Sequence, residues 1–123
     1  MNAFSQARRA YSTASAPIRT ARGIEYDAIV RITYQLKTAA AKGKDGFISL
    51  VEAMYNNNKM WQIFAVDVAD KDNSLPKELR AQIFYLAEFT KLHTSKVLAR
   101  TADAAPLVDI NLAILRGLRS GAK

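Results

Sequence analysis

The large apolar side chains of this chain recur at intervals of three and four residues, and only briefly at intervals of two. Such spacing places them on one face of a helix rather than one face of a strand. Phe47, Leu50, Val51, Met54 and Tyr55 fall at i, i+3, i+4, i+7 and i+8, which predicts one buried helical face. Trp61, Phe64, Ala65 and Val68 repeat the step. So do Leu79, Ile83, Leu86 and Ala87, with Tyr85, Phe89 and Leu92 widening the arc. An earlier stripe runs through Ile24, Ala28, Ile32, Leu36 and Ala39, with Ile29 beside it. A final stripe holds Leu107, Ile110, Ile114 and Leu118, flanked by Leu112 and Leu115.

Punctuating residues divide these stripes. Residues 2–14, rich in Ala and Arg, predict a first helix that breaks in the run ending at Pro17. The next helix starts near Thr20 and stops at Gly43. Asp45 is placed to cap its successor, and Asn56-Asn57-Asn58 to interrupt it, so that a separate helix carries Trp61 to Val68. After the polar loop Asp70-Lys71-Asp72-Asn73-Ser74, Pro76 suits a first helical turn, and that helix runs to about Arg100. Asp103-Ala104-Ala105-Pro106 opens the last one, in which Gly117 lowers the intrinsic stability by roughly 1 kcal/mol relative to Ala. The expectation is an all-α, single-domain antiparallel bundle over residues 1–123, of five helices, or six if the asparagine run is a true break.

Half of the 123 residues are hydrophobic and 24% are charged, an ordinary globular balance with enough chain for one modest core. There is no cysteine, so no disulfide framework and no thiolate chemistry. No apolar run is long enough to span a membrane, and the N-terminus lacks the apolar stretch of a secretory signal. Both point to the cytoplasm. The 18 basic and 11 acidic side chains leave a net charge of +7. All of the excess lies at the ends, in Arg8, Arg9, Arg19 and Arg22 and in Arg116, Arg119 and Lys123, where no acid accompanies them. Such ends favour an acidic partner, nucleic acid included, or simply keep the protein in solution.

Catalytic and metal-binding patterns are scarce. His93 is the sole histidine, and no partner for catalysis or metal binding stands near it in sequence. Asp67, Asp70 and Asp72 lie close together but lack the glycine and terminal glutamate of a calcium loop. The five glycines are scattered, so there is no phosphate cradle. The serines and threonines have no paired base. No enzyme activity, cofactor or metal is expected. Ile83, Phe84, Tyr85, Leu86 and Phe89 circle most of one helix, which makes it either central in its bundle or the owner of a second, partner-binding face. The last helix, with Val108, Leu112 and Leu115 outside its main stripe, either closes the bundle or docks on a partner.

Several stretches taken together resemble the FlaF family of flagellar biosynthesis regulators of alphaproteobacteria. They begin with Ala16-Pro17-Ile18-Arg19-Thr20, Arg22-Gly23 and Glu25-Tyr26, and continue with Trp61 and Asp67-Val68-Ala69-Asp70, then Asn73 and Leu75-Pro76. The most specific block is Leu79-Arg80-Ala81-Gln82-Ile83-Phe84-Tyr85-Leu86-Ala87-Glu88-Phe89-Thr90, followed by His93. Pro106-Leu107-Val108-Asp109-Ile110-Asn111 and Arg116-Gly117-Leu118 complete the set. The resemblance spans nearly the whole chain and rests on the order and spacing of the pieces rather than on a chemical motif.

The resemblance implies a helical cytoplasmic protein needed for flagellin synthesis, export and filament assembly, acting as a flagellin-binding chaperone beside a second regulator, FlbT. It implies no enzyme activity. Flagellin, as the family's partner, has amphipathic terminal segments that coil only in the filament, and an apolar groove on a bundle covers such segments. On this reading Trp61, Phe64, Tyr85, Phe89 and Leu92 line the groove, and Arg116 and Arg119 form its basic rim. The alternative is a post-transcriptional regulator of flagellin translation, acting on RNA or through FlbT. No recognisable RNA-binding module accompanies it.

Overall fold

The computed structural model describes residues 26–121, with side chains from 26 to 117. The helix expected over residues 2–14, its break, the expected start near Thr20, Ile24, and the side chains of Leu118 and Arg119 lie outside the described residues. Four α-helices follow one another: α1 (Tyr26–Ala41), α2 (Phe47–Ala69), α3 (Lys77–Leu98) and α4 (Ala105–Gly121), with a 3-10 turn at Gly43–Gly46. Among the described residues there is no strand, so the chain forms an all-α bundle.

The directions of the helices follow from which residues meet. Lys42 and Ser49 share one end of the seam between α1 and α2, and Ala28 and Phe64 share the other. These helices are therefore antiparallel. Between α2 and α3 the Arg100 guanidinium lies 4.3 Å from the Phe47 ring centroid, Thr94 Oγ1 donates to Asn58 Oδ1 at 3.1 Å, and Arg80 donates to the Asp70 carbonyl at 3.4 Å. That pair is antiparallel too. α4 packs chiefly on α1 and reaches α2 through Asn111. The core holds Ile29, Leu36, Met54, Trp61, Ile83 and Leu107, all essentially sealed from solvent.

The expected interruption at Asn56-Asn57-Asn58 does not occur, and α2 runs through it for 23 residues. Asparagine weakens a helix when its amide competes for nearby backbone. Here two of the three amides are engaged across the bundle. Asn57 Oδ1 accepts from Asn111 Nδ2 at 2.9 Å, and Asn111 Oδ1 accepts from the Trp61 indole N–H at 2.9 Å. Asn58 Oδ1 takes the Thr94 hydroxyl. Asn57, Trp61 and Asn111 are buried, where making these bonds matters most.

The junctions are built from short-range chemistry. Gly43 ends α1 with φ +64°, a conformation that favours glycine. A Cβ on Gly46 would lie 2.5 Å from the Ala39 carbonyl oxygen and 2.6 Å from Lys42 Cβ, so only glycine lets α2 start so close to the end of α1. Asp45, expected to cap α2, sits in the 3-10 turn instead. Gly46 is the N-cap, and no side chain bonds there. In the next loop Asp70 Oδ1 accepts from Asp72 N and Asn73 Oδ1 from Leu75 N, each at 2.9 Å, two turns typical of these side chains. Pro76 directly precedes α3 as its N-cap. Asp103 Oδ1 receives the Ala105 N–H at 2.9 Å at the start of α4.

α3 ends in a Schellman pattern: Thr101 N donates to Lys96 O and Arg100 N to Val97 O, both at 2.9 Å. The left-handed position of that pattern is held by Arg100, φ 63°, where glycine is usual. A left-handed non-glycine residue costs roughly 1–2 kcal/mol, and the Phe47 ring beneath its guanidinium returns about 0.5–1 kcal/mol.

Two outcomes are expected for stability. Asn111→Leu strands the buried Trp61 and Asn57 polar groups and lowers stability by about 1–3 kcal/mol. Urea unfolding followed by the emission of Trp61, the sole tryptophan, measures it, and an unchanged midpoint counts against the network. Arg100→Ala keeps the backbone strain and loses the ring contact, so it destabilises. Arg100→Gly loses the contact but relieves the strain, and stays near wild type in the same assay. Equal midpoints for the two variants would remove strain from the account.

Candidate partner-binding surface

The residues expected to line a groove separate into two groups. Trp61 and Phe64 are 1% and 2% exposed and pack edge to face with ring centroids 5.4 Å apart. With its indole N–H committed to Asn111, Trp61 belongs to the core, and Phe64 reaches the surface only at the edge of the recess between α1 and α2. Tyr85 and Leu92, by contrast, are 66% and 65% exposed on α3. Phe89 is half-buried and stacks on His93, centroids 5.5 Å apart. Arg116 is exposed on α4. Arg119 lies outside the described side chains. The structure therefore does not bring these positions together in one groove. It leaves an apolar face on α3 and places two of the expected wall residues beneath the surface.

A second apolar face was not legible in the stripes. Ile48, Tyr55 and Val66 of α2 are exposed, Ile48 at 83%. They are spaced by nearly whole turns at about 3.6 residues per turn, so they line the side of α2 opposite Asn57, Trp61 and Phe64. Tyr55 and Val51, assigned above to a buried face, stand on the exposed side. Lys59 Nζ lies 5.3 Å from the Tyr55 ring centroid. The signal was present in the spacing, but it emerges only when α2 is taken as one unbroken helix.

Beside this face the seam between α1 and α2 opens into a shallow trough. It consists of two adjoining recesses of about 280 Å³ and about 370 Å³ that share Gln35 and Asn56. Ala39 and Ala53 floor one of them, and Ala28, Ile32, Met60 and Ile63 line the other. Small residues on the floor let a third helix approach the seam closely. A further recess of about 410 Å³, lined in part by Phe47, Leu50, Val97 and Ala104, lies where the 3-10 turn meets the end of α3.

The titratable groups offer little chemistry. No group of three histidine, cysteine or carboxylate residues suited to a metal exists among the described residues. Burial, and then the neighbouring Asp70 carboxylate, raise the Asp67 carboxyl above its ordinary value. This is the cost of two acids near the C-terminal end of α2, where the helix dipole is also unfavourable to them. His93 Nε2 donates to the Asp103 carbonyl at 2.7 Å and so fastens α3 to the approach to α4. No helix among the described residues is long and apolar enough to cross a membrane.

The family described as Flagellar protein FlaF matches residues 7–118. No curated protein and no solved structure matches the chain.

Proposed function

The chain belongs to the FlaF family, and from that membership we propose that it is a flagellin-binding chaperone that covers amphipathic flagellin segments before export and filament assembly. The family is one of flagellar proteins, and a binding role suits the apolar side chains left exposed on its helices. The observation that carries the reading is the set of large apolar side chains left outside a closed core: Ile48, Tyr55 and Val66 on α2, and Tyr85 and Leu92 on α3. Isolated exposed apolar residues need no explanation, but aligned ones on neighbouring helices mark interaction surfaces. An amphipathic segment presents apolar anchors at i, i+3, i+4 and i+7 and covers such a face.

In this mechanism Trp61 and Phe64 act from below. Trp61 ties α2 to α4 through Asn111, and Phe64 packs edge to face on it, which holds α2 in place beneath its outer face. Phe89, stacked on His93, serves α3 in the same way at the edge of the Tyr85–Leu92 face. Arg116 and Arg119 supply positive charge near the end of the bundle, which speeds encounter with an acidic partner more than it strengthens the final complex.

Calorimetric titration of flagellin into the purified protein tests the reading. Saturable binding is expected, weakened about tenfold or more when Ile48 and Val66, or Tyr85 and Leu92, are replaced pairwise by Asp. Far-UV circular dichroism and Trp61 emission should stay unchanged, because all four side chains are exposed. Binding should fall only modestly as salt rises, because apolar contact depends little on it and only the flanking charges are screened. No detectable heat at high micromolar concentration defeats the proposal. Binding to flagellin RNA that collapses as salt rises, or to FlbT alone, would support the regulatory alternative.

A further inference from the structure

The trough between α1 and α2 has a charge pattern and a polar centre that the apolar faces alone do not explain. Arg31, Lys42 and Lys59 line it, with Glu52 as its single acid. Among the described residues none of the three cations pairs with a carboxylate, and Lys59 lies over the Tyr55 ring. At its midpoint, where the two recesses meet, the exposed Gln35 and the half-buried Asn56 contribute side-chain amides. Three cations against one acid along an apolar-floored seam make the trough electrostatically complementary to a negatively charged occupant.

We propose that this trough is a docking site for one acidic amphipathic helix with a polar residue at its centre. The helix inserts its apolar stripe against Ile63 and the alanine floor and sets its flanking carboxylates against Arg31, Lys42 and Lys59. It aligns its register by hydrogen bonds to Gln35 and Asn56. The trough extends along most of α1, whose 16 residues measure about 24 Å at ~1.5 Å per residue, so the occupant is about four turns long. A single buried polar pair in an apolar helix seam is an established way to fix register. The inference rests on the flagellin-holding reading and adds a place to it: the cationic trough seats one helical segment, beside the apolar faces of α2 and α3.

The test uses two synthetic 16-residue helical peptides with the same leucine stripe and one central Asn. One carries flanking Glu and the other flanking Lys. Titration into the whole protein is expected to show binding of the Glu peptide at least tenfold tighter than the Lys peptide. Arg31→Glu with Lys59→Glu should reverse that preference, and Asn56→Leu should weaken the Glu peptide but not a peptide whose central Asn is Leu. Trp61 emission checks that each variant keeps its fold. Equal affinity for both peptides, no binding of either, or indifference to the double reversal overturns the trough proposal. If flagellin still binds in that case, the broader function stands. Tight, reversible-sign binding of the Glu peptide without any binding of flagellin supports the trough and removes flagellin as its occupant.

Discussion

The indole N–H of Trp61 is buried, and so are the two asparagines that answer it. Indole donates to Asn111, and Asn111 in turn donates to Asn57. A buried polar group costs stability where its bond is lost, and although Asn57 Nδ2 finds no partner, the two bonds that are made favour one relation between α2 and α4. Sliding α4 by one residue, or rotating α2 by a fraction of a turn, would separate three groups at once. Apolar packing alone tolerates such shifts, because one methyl neighbour is much like another. The amides therefore set the register that the leucines and isoleucines fill.

From that register the surface follows. With Asn57, Trp61 and Phe64 aimed inward, the opposite side of α2 must carry Ile48, Tyr55 and Val66, and α1 and α3 flank it on either side. α4 occupies the inner side and, among the described residues, nothing lies on the outer one. The tight turn at Gly46 brings α1 and α2 close at one end, and the alanines between them keep the seam narrow-walled and shallow. The exposed apolar faces are thus the remainder left by the core, placed where, among the described residues, no further helix covers the α1–α2–α3 layer.

Helix content, the loops at residues 70–75 and 99–104, and most core positions were legible because each depends on local chemistry. Period, Pro76, Gly43 and the side chains of Asp70, Asn73 and Asp103 act within a few residues of themselves. The asparagine run was misread because its effect is set by partners far along the chain. Asn57 answers Asn111, and Asn58 answers Thr94, which local propensity does not contain. The same error hid the outer face of α2, since a helix cut in two has no continuous far side. Trp61 and Phe64 were assigned to a groove because large aromatics suit either a core or an interface, and their own sequence neighbourhood is the same in both.

What the sequence by itself determined was a set of helices with one apolar side each, a positive excess confined to the two ends, and membership in a flagellar family. These follow from periodicity, from charge counting and from the order of short matching stretches, none of which needs a third dimension. What only the tertiary structure decided was which apolar residues face water. Exposure depends on where the neighbouring helices lie, and their placement was fixed by the Trp61–Asn111–Asn57 bonds between residues some fifty positions apart.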